Sequence, residues 1–144
     1  MPGKLEMGTE KEGRVKVDLG RVDMPTFILA TREDHIVPWK SSYLGRGLLG
    51  GQSTFVLGAS GHIAGVINPA AKNKRSYWIN DSDTANPDEW LATATEAKGS
   101  WWPYWAEWLK GFADGEIPAR GRLGSATYEA SEPAPGRYVK ERAE

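Results

Sequence analysis

Cysteine is absent from the 144 residues. That excludes a disulfide framework, a thiolate-ligated zinc or iron–sulfur site, and any thiol nucleophile supplied by this chain. Histidine is nearly absent, and the two present, His35 and His62, do not sit at the close spacing of metal ligands. Charge of one sign is lacking too: 18 Lys and Arg against 19 Asp and Glu leave a net −1, so no electrostatic excess argues for nucleic acid or an anionic membrane. With 17 Gly and 9 Pro, the chain stays below the share, about 25–30%, at which low-complexity disorder becomes the better reading. The uncharged stretch Gly47 to Ala71 has the length of a membrane-spanning helix, but six glycines, Gln52, His62, Asn68 and Pro69 interrupt it. The start, Met1 to Glu6, has no charged segment followed by an apolar one of the kind that directs secretion. A cytoplasmic protein of about one domain is the expectation, and seven Trp with 40% hydrophobic residues can furnish its core.

Residues 1–24 read as a polar, glycine-punctuated leading segment, with a brief strand-like alternation at Val15 to Leu19. Pro25 to Thr31 is then a short, nearly continuous apolar run, as in a strand buried on both faces of a parallel sheet. Pro38 can open a helix over Trp39 to Leu49, with Tyr43, Leu44 and Leu48 at helical spacing and Gly50-Gly51 as the stop. Thr54 to Gly58 repeats the buried-strand pattern, so the middle of the chain has the strand, helix, strand rhythm of an α/β protein. Asn68 to Asn86 reads as loop. A helix follows to about Lys98, with Asn86 as cap, Pro87 in the first position and Glu89 completing a capping box. A second, from Ser100, carries Trp101, Trp105, Trp108 and Phe112 on one stripe. Residues 116–144 read as an extended tail.

Two strand exits carry the chemistry, since one delivers a carboxylate at Asp34 and the other an imidazole at His62, 28 residues later. Consecutive parallel strands bring such groups to one sheet edge, where sites of open α/β sheets gather. Acid before histidine is also the order of the last two members of an α/β-hydrolase triad. The alternative is structural: Asp34 bonded to loop amides or Arg32, and His62 a satisfied residue of a glycine-rich turn. His35 reads as a local partner of Asp34 rather than a second base. Lys72-Asn73-Lys74-Arg75 is a solvated loop or an attractor for a phosphorylated substrate such as coenzyme A. The tryptophan stripe is either core or an exposed docking patch.

The strings Arg32-Glu33-Asp34-His35-Ile36-Val37-Pro38-Trp39, Gly58-Ala59-Ser60-Gly61-His62-Ile63-Ala64-Gly65-Val66-Ile67-Asn68-Pro69 and Lys72 to Trp78 closely resemble the C-terminal part of class I poly(3-hydroxyalkanoate) synthases. The resemblance continues through Gly99-Ser100-Trp101-Trp102-Pro103 to Pro133 to Val139 and covers nearly the whole chain. Class II synthases differ after the histidine and in the tryptophan segment. The resemblance implies the C-terminal part of an α/β-hydrolase fold over residues 25–115. It implies an acyltransferase that polymerises (R)-3-hydroxyacyl-CoA into polyester and releases coenzyme A, which enters as substrate, so no cofactor is expected. The family's catalytic aspartate falls on Asp34 and its catalytic histidine on His62. His35 falls on a histidine that helps shape the site, and Ala64 on a position that influences acyl selectivity. The partners implied are the growing polyester chain and its granule, the remainder of the synthase, and a second copy in the complete enzyme. Neither nucleic acid nor a membrane span is implied.

The departure is the nucleophile. The family's Gly-x-Cys-x-Gly elbow lies upstream of the acid, this chain has no cysteine, and Ser60 has no elbow around it. The chain is expected to be the C-terminal portion of a synthase, inactive alone, whose strands need central strands from outside it on their flanks. A non-catalytic module binding the synthase or the granule, and a functionless remnant, are the competing expectations.

Overall fold

The computed structural model describes residues 5–7 and 15–142; the rest of the leading segment lies outside the described residues. The chain divides into two units, Met1–Phe112 and Ala113–Glu144.

In the first unit, β1 (Leu5–Met7) and β2 (Val15–Val17) form an antiparallel pair. A separate four-stranded sheet holds β3 (Thr26–Thr31), β4 (Ser53–Gly58), β5 (Ser76–Ile79) and β6 (Thr95–Lys98), in that order. β3 and β4 run parallel, with Thr26 beside Ser53 and Thr31 beside Gly58, while β5 and β6 add antiparallel. The helices are α1 (Trp39–Gly45), α2 (Pro87–Thr93) and α3 (Trp102–Lys110). A mixed sheet with helices on both faces fits the α/β class. No helix among the described residues is long and apolar enough to cross a membrane.

Alternation along the strands explains the layers. Ile28, Ala30, Phe55 and Leu57 share one face and pack with Trp39, Tyr43 and Trp90 from α1 and α2. Tyr43, Phe55 and Trp90 form a ring cluster with centroids 5.0, 5.1 and 5.5 Å apart, the favoured spacing for edge-to-face packing. Their polar ends are satisfied: the Tyr43 hydroxyl donates to Thr84 O, and the Trp90 indole donates to Asn80 O at 3.3 Å. On the opposite face, Phe27 meets the rings of Trp101, Tyr104 and Trp108.

The strand, helix, strand reading of the middle of the chain matches β3, α1 and β4, with α1 giving way at Gly45 to a 3-10 turn over Arg46–Leu48. Four expectations are corrected. Among the described residues β3 is flanked by β4 alone, and Thr26 to Leu29 are half-buried while Ala30 and Thr31 are fully so. The stretch Asn68 to Asn86 is not all loop, because Ser76-Tyr77-Trp78-Ile79 pairs with β4 and seats Trp78 against the core. The helix from Asn86 stops at Thr93 rather than near Lys98. Ala94 turns extended, with ψ 145°, and Thr95 to Lys98 become the strand that covers β5. The cap also differs from a reciprocal box: Asn86 accepts from Asp88 N–H, while Glu89 accepts from the Thr84 hydroxyl.

The tryptophan stripe divides between its two readings. Trp101 and Trp108 pack on Phe27, whereas Trp105, Leu109 and Phe112 are exposed. The second unit contains one isolated bridge, Gly124 with Glu129, and a 3-10 turn at Tyr138–Lys140.

Candidate functional site

Because β3 and β4 are in parallel register, they end at the same level, and their exits are tied together beyond the strands. Arg32 N–H donates to Gly58 O at 2.8 Å and Glu33 N–H to Ser60 O at 3.1 Å. Asp34 is three residues past the end of β3, and His62 four past the end of β4. The second exit turns sharply, with Ser60 in the left-handed region at φ 78°, and then enters a single helical turn at Gly61.

The two side chains meet. His62 Nδ1 lies 2.8 Å from Asp34 Oδ2. The other carboxylate oxygen, Oδ1, accepts from the Ile36 and Val37 N–H groups, each at 2.9 Å, an Asx-turn geometry that fixes the carboxylate from its own loop. These contacts hold the Asp34 carboxyl down at about 2: the Val37 N–H contributes most, partial burial opposes it, and the His62 and Ile36 contacts add to the lowering. An ionised Asp34 accepts from Nδ1–H and so selects one imidazole tautomer, leaving Nε2 with a lone pair. The His62 side chain is 43% exposed, and its Nε2 bonds to no described residue. The arrangement can take a proton from an incoming acid and stabilise the imidazolium that results.

Arg32 does not join this pair; its guanidinium sits 4.9 Å over the Trp78 ring. His35 is exposed and bonds to neither Asp34 nor His62. Ala64, two residues past His62, lines a cavity of about 340 Å³ with Ile63, Ile67, Pro69, Lys72 and Arg75, so the basic cluster rims an apolar recess beside the histidine turn. A larger cavity, about 690 Å³, opens around Arg46, Ser53 and Asp83 at the opposite end of β4 and includes neither Asp34 nor His62. The acid–base geometry lies with the pair, and the smaller recess is the one that adjoins it. Among the described residues, no three His, Asp or Glu side chains gather to hold a metal ion.

Residues that spacing alone does not bring to the site also reach it. The indole N–H groups of Trp101 and Trp102 donate to Gly65 O and Val66 O at 3.2 and 3.1 Å, just past His62. The Ser100 hydroxyl donates to Asn68 O, and the Asn68 amide to Lys74 O at 2.7 Å. The cluster Gly99-Ser100-Trp101-Trp102 signalled a helix start; its grip on the 65–75 loop has no local sequence pattern.

Comparison with known proteins sets this site in context. The chain is 54% identical over 143 residues to the poly(3-hydroxyalkanoate) polymerase subunit PhaC of Cupriavidus necator, a match covering 99% of this chain and 23% of that protein. The chain matches the C-terminal portion of poly(3-hydroxyalkanoate) polymerases. It is also 45% identical over 128 residues to the subunit from Rhizobium meliloti, covering 89% of the chain and 21% of the relative. The polymerase of Methylorubrum extorquens is 44% identical over 140 residues, 96% of the chain and 23% of the relative. The chain therefore spans about a fifth of the length of the polymerases it matches. No protein-family model matches it.

Proposed function

We propose that this chain supplies the acid and the histidine base of a Cys-His-Asp triad in a class I polyhydroxyalkanoate synthase of α/β-hydrolase fold, the cysteine coming from outside it. The observation that carries this reading is the 2.8 Å contact between Asp34 Oδ2 and His62 Nδ1, with Nε2 left open. His62 Nε2 takes the proton of the cysteine thiol. The thiolate attacks the thioester carbonyl of (R)-3-hydroxyacyl-CoA, the C–S bond to coenzyme A breaks, and the imidazolium returns its proton to the departing sulfur. The 3-hydroxyl of a further acyl group, deprotonated at the same nitrogen, then attacks the acyl-cysteine carbonyl, the C–S bond to the cysteine breaks as the ester forms, and the imidazolium returns its proton to the cysteine sulfur. Asp34 keeps the imidazole in the required tautomer throughout. His35 shapes the rim, Ala64 borders the acyl group, and the basic residues beside it face the phosphates of coenzyme A. The complete enzyme works in the cytoplasm on the granule surface, as an oligomer.

A chimera in which this chain replaces the matching segment of the Cupriavidus necator subunit tests the assignment. It is expected to release coenzyme A from 3-hydroxybutyryl-CoA, with Asp34→Asn and His62→Gln each lowering the rate by about 10²–10⁴-fold. Full activity in either variant refutes the roles, and coenzyme A release by the 144-residue chain alone refutes the need for an outside cysteine. A second reading, a non-catalytic granule-binding module, draws on the exposed Trp105, Leu109 and Phe112. Sedimentation with polyester granules without any rescue of activity would favour it.

A further inference from the structure

The segment bearing His62 is one turn of helix: Gly65 N–H donates to Gly61 O, and Ile67 N–H to Ile63 O, each at 2.8 Å. A lone turn is far too short to sustain itself, and its last carbonyls have no donors within the turn. Packing of the imidazole does not compensate, since 43% of the side chain is exposed. Val66 O accepts from Asn68 N–H at 3.1 Å, and the further donors come from the start of α3, where the indole N–H groups of Trp101 and Trp102 meet two consecutive carbonyls, Gly65 O and Val66 O. Trp101 does more than donate. Its ring stacks on Phe27 of β3, with centroids 6.2 Å apart and planes 27° apart, and β3 is the strand that ends on the Asp34 turn. One side chain thus touches both the strand that delivers the acid and the turn that delivers the base. From the other side the turn is pressed against β3 directly, because Gly65 leaves no room for a Cβ beside Thr31. Gly99 N–H to Arg75 O at 2.8 Å anchors the same clamp further along the loop.

We propose that Trp101 and Trp102 are positioning residues for His62, their indole N–H groups holding the histidine turn at the height where Nδ1 reaches Asp34 and Nε2 faces the open side. The inference rests on the acid–base reading of that pair.

The test uses the chimera with the Cupriavidus necator subunit and substitutes Trp101→Phe and Trp102→Phe, which keep an aromatic ring and remove the donor. Each is expected to lower kcat tenfold or more while KM stays within twofold. The deciding comparison repeats both substitutions in the Asp34→Asn background, where imidazole orientation is already lost and the indoles should matter less than twofold. The same loss in both backgrounds would assign the tryptophans to general stability and overturn the proposal, as would no loss in either. If the Phe variants do not fold, 3-benzothienylalanine at position 101, which keeps the ring shape and has sulfur in place of N–H, is read by the same comparison. Should Asp34→Asn itself leave kcat intact, the acid–base reading falls and takes this inference with it. A large Asp34→Asn effect beside silent tryptophan variants overturns the positioning role alone.

Discussion

Gly65→Ala is the most informative single perturbation of the histidine turn. An added Cβ would lie 2.4 Å from Thr31 Cγ2, 2.9 Å from Thr31 Cβ and 2.8 Å from Ala59 O. Carbon atoms pack at about 3.5–4.0 Å, so about 1 Å must open on the Thr31 side, and about 0.6 Å on the side of the Ala59 oxygen. Neither neighbour yields cheaply. Thr31 is 2% exposed and β-branched, with little rotamer freedom, and the Ala59 atom is backbone. Overpacking of this kind costs about 1–3 kcal/mol, and the displaced turn carries His62 away from Asp34 as it moves. Gly61→Ala is the matched control at the start of the same turn, where the nearest atom to the new Cβ is Glu33 O at an ordinary 3.6 Å. Removing backbone freedom there should leave stability unchanged or raise it by up to about 1 kcal/mol. Urea unfolding followed by tryptophan fluorescence measures both variants. Thr31→Ser deletes the closest clashing atom, so Gly65→Ala combined with it should lose less than the sum of the two single changes. A Gly65→Ala midpoint equal to that of Gly61→Ala would refute the packing argument.

Acid should weaken the fold in a window set by Asp34. Its folded-state value of about 2 lies below the ordinary carboxylate range, so its contribution is present above about pH 4 and lost as pH falls through 2. Asp34→Asn should therefore flatten the pH dependence of the urea midpoint between about pH 4 and 2, and an unchanged slope would show that other carboxylates govern it. In the core, Trp90→Ala removes a fully buried ring from the Tyr43–Phe55 cluster and should cost about 3–5 kcal/mol. Retention of a cooperative transition near the original midpoint would mean that the cluster is not the centre of the fold.

The meeting of Asp34 and His62 was legible because it follows from two things visible in the chain: apolar runs that end in polar residues, and a helix between them that makes the runs parallel. Register then does the rest, as Thr31 and Gly58 finish side by side. β5 and β6 were not legible for a physical reason. Thr95-Glu96-Ala97-Lys98 contains good helix formers and continues a helical pattern from Asn86, yet pairing with β5 outweighs that local preference. β5 itself is four residues long, too short for an alternation to register. The indole donors lie 36 residues beyond the carbonyls they satisfy, and no periodicity reports a contact of that range. The exposure of Trp105 and Phe112 beside the packed Trp108 had the same cause, since a stripe on a helix does not state how much of it a neighbouring sheet is wide enough to cover.

The place of β3 at the end of the sheet has a practical corollary. Phe27-Ile28-Leu29-Ala30 lies in a strand that pairs with β4 on one side and with no other described strand on its outer side. Such a margin is adhesive: its amides and carbonyls offer a ready template to whichever extended segment arrives first, a second copy included. Preparing this polypeptide with that margin open therefore turns handling into a contest of concentrations, in which dilution protects the sample and crowding it at high yield does not.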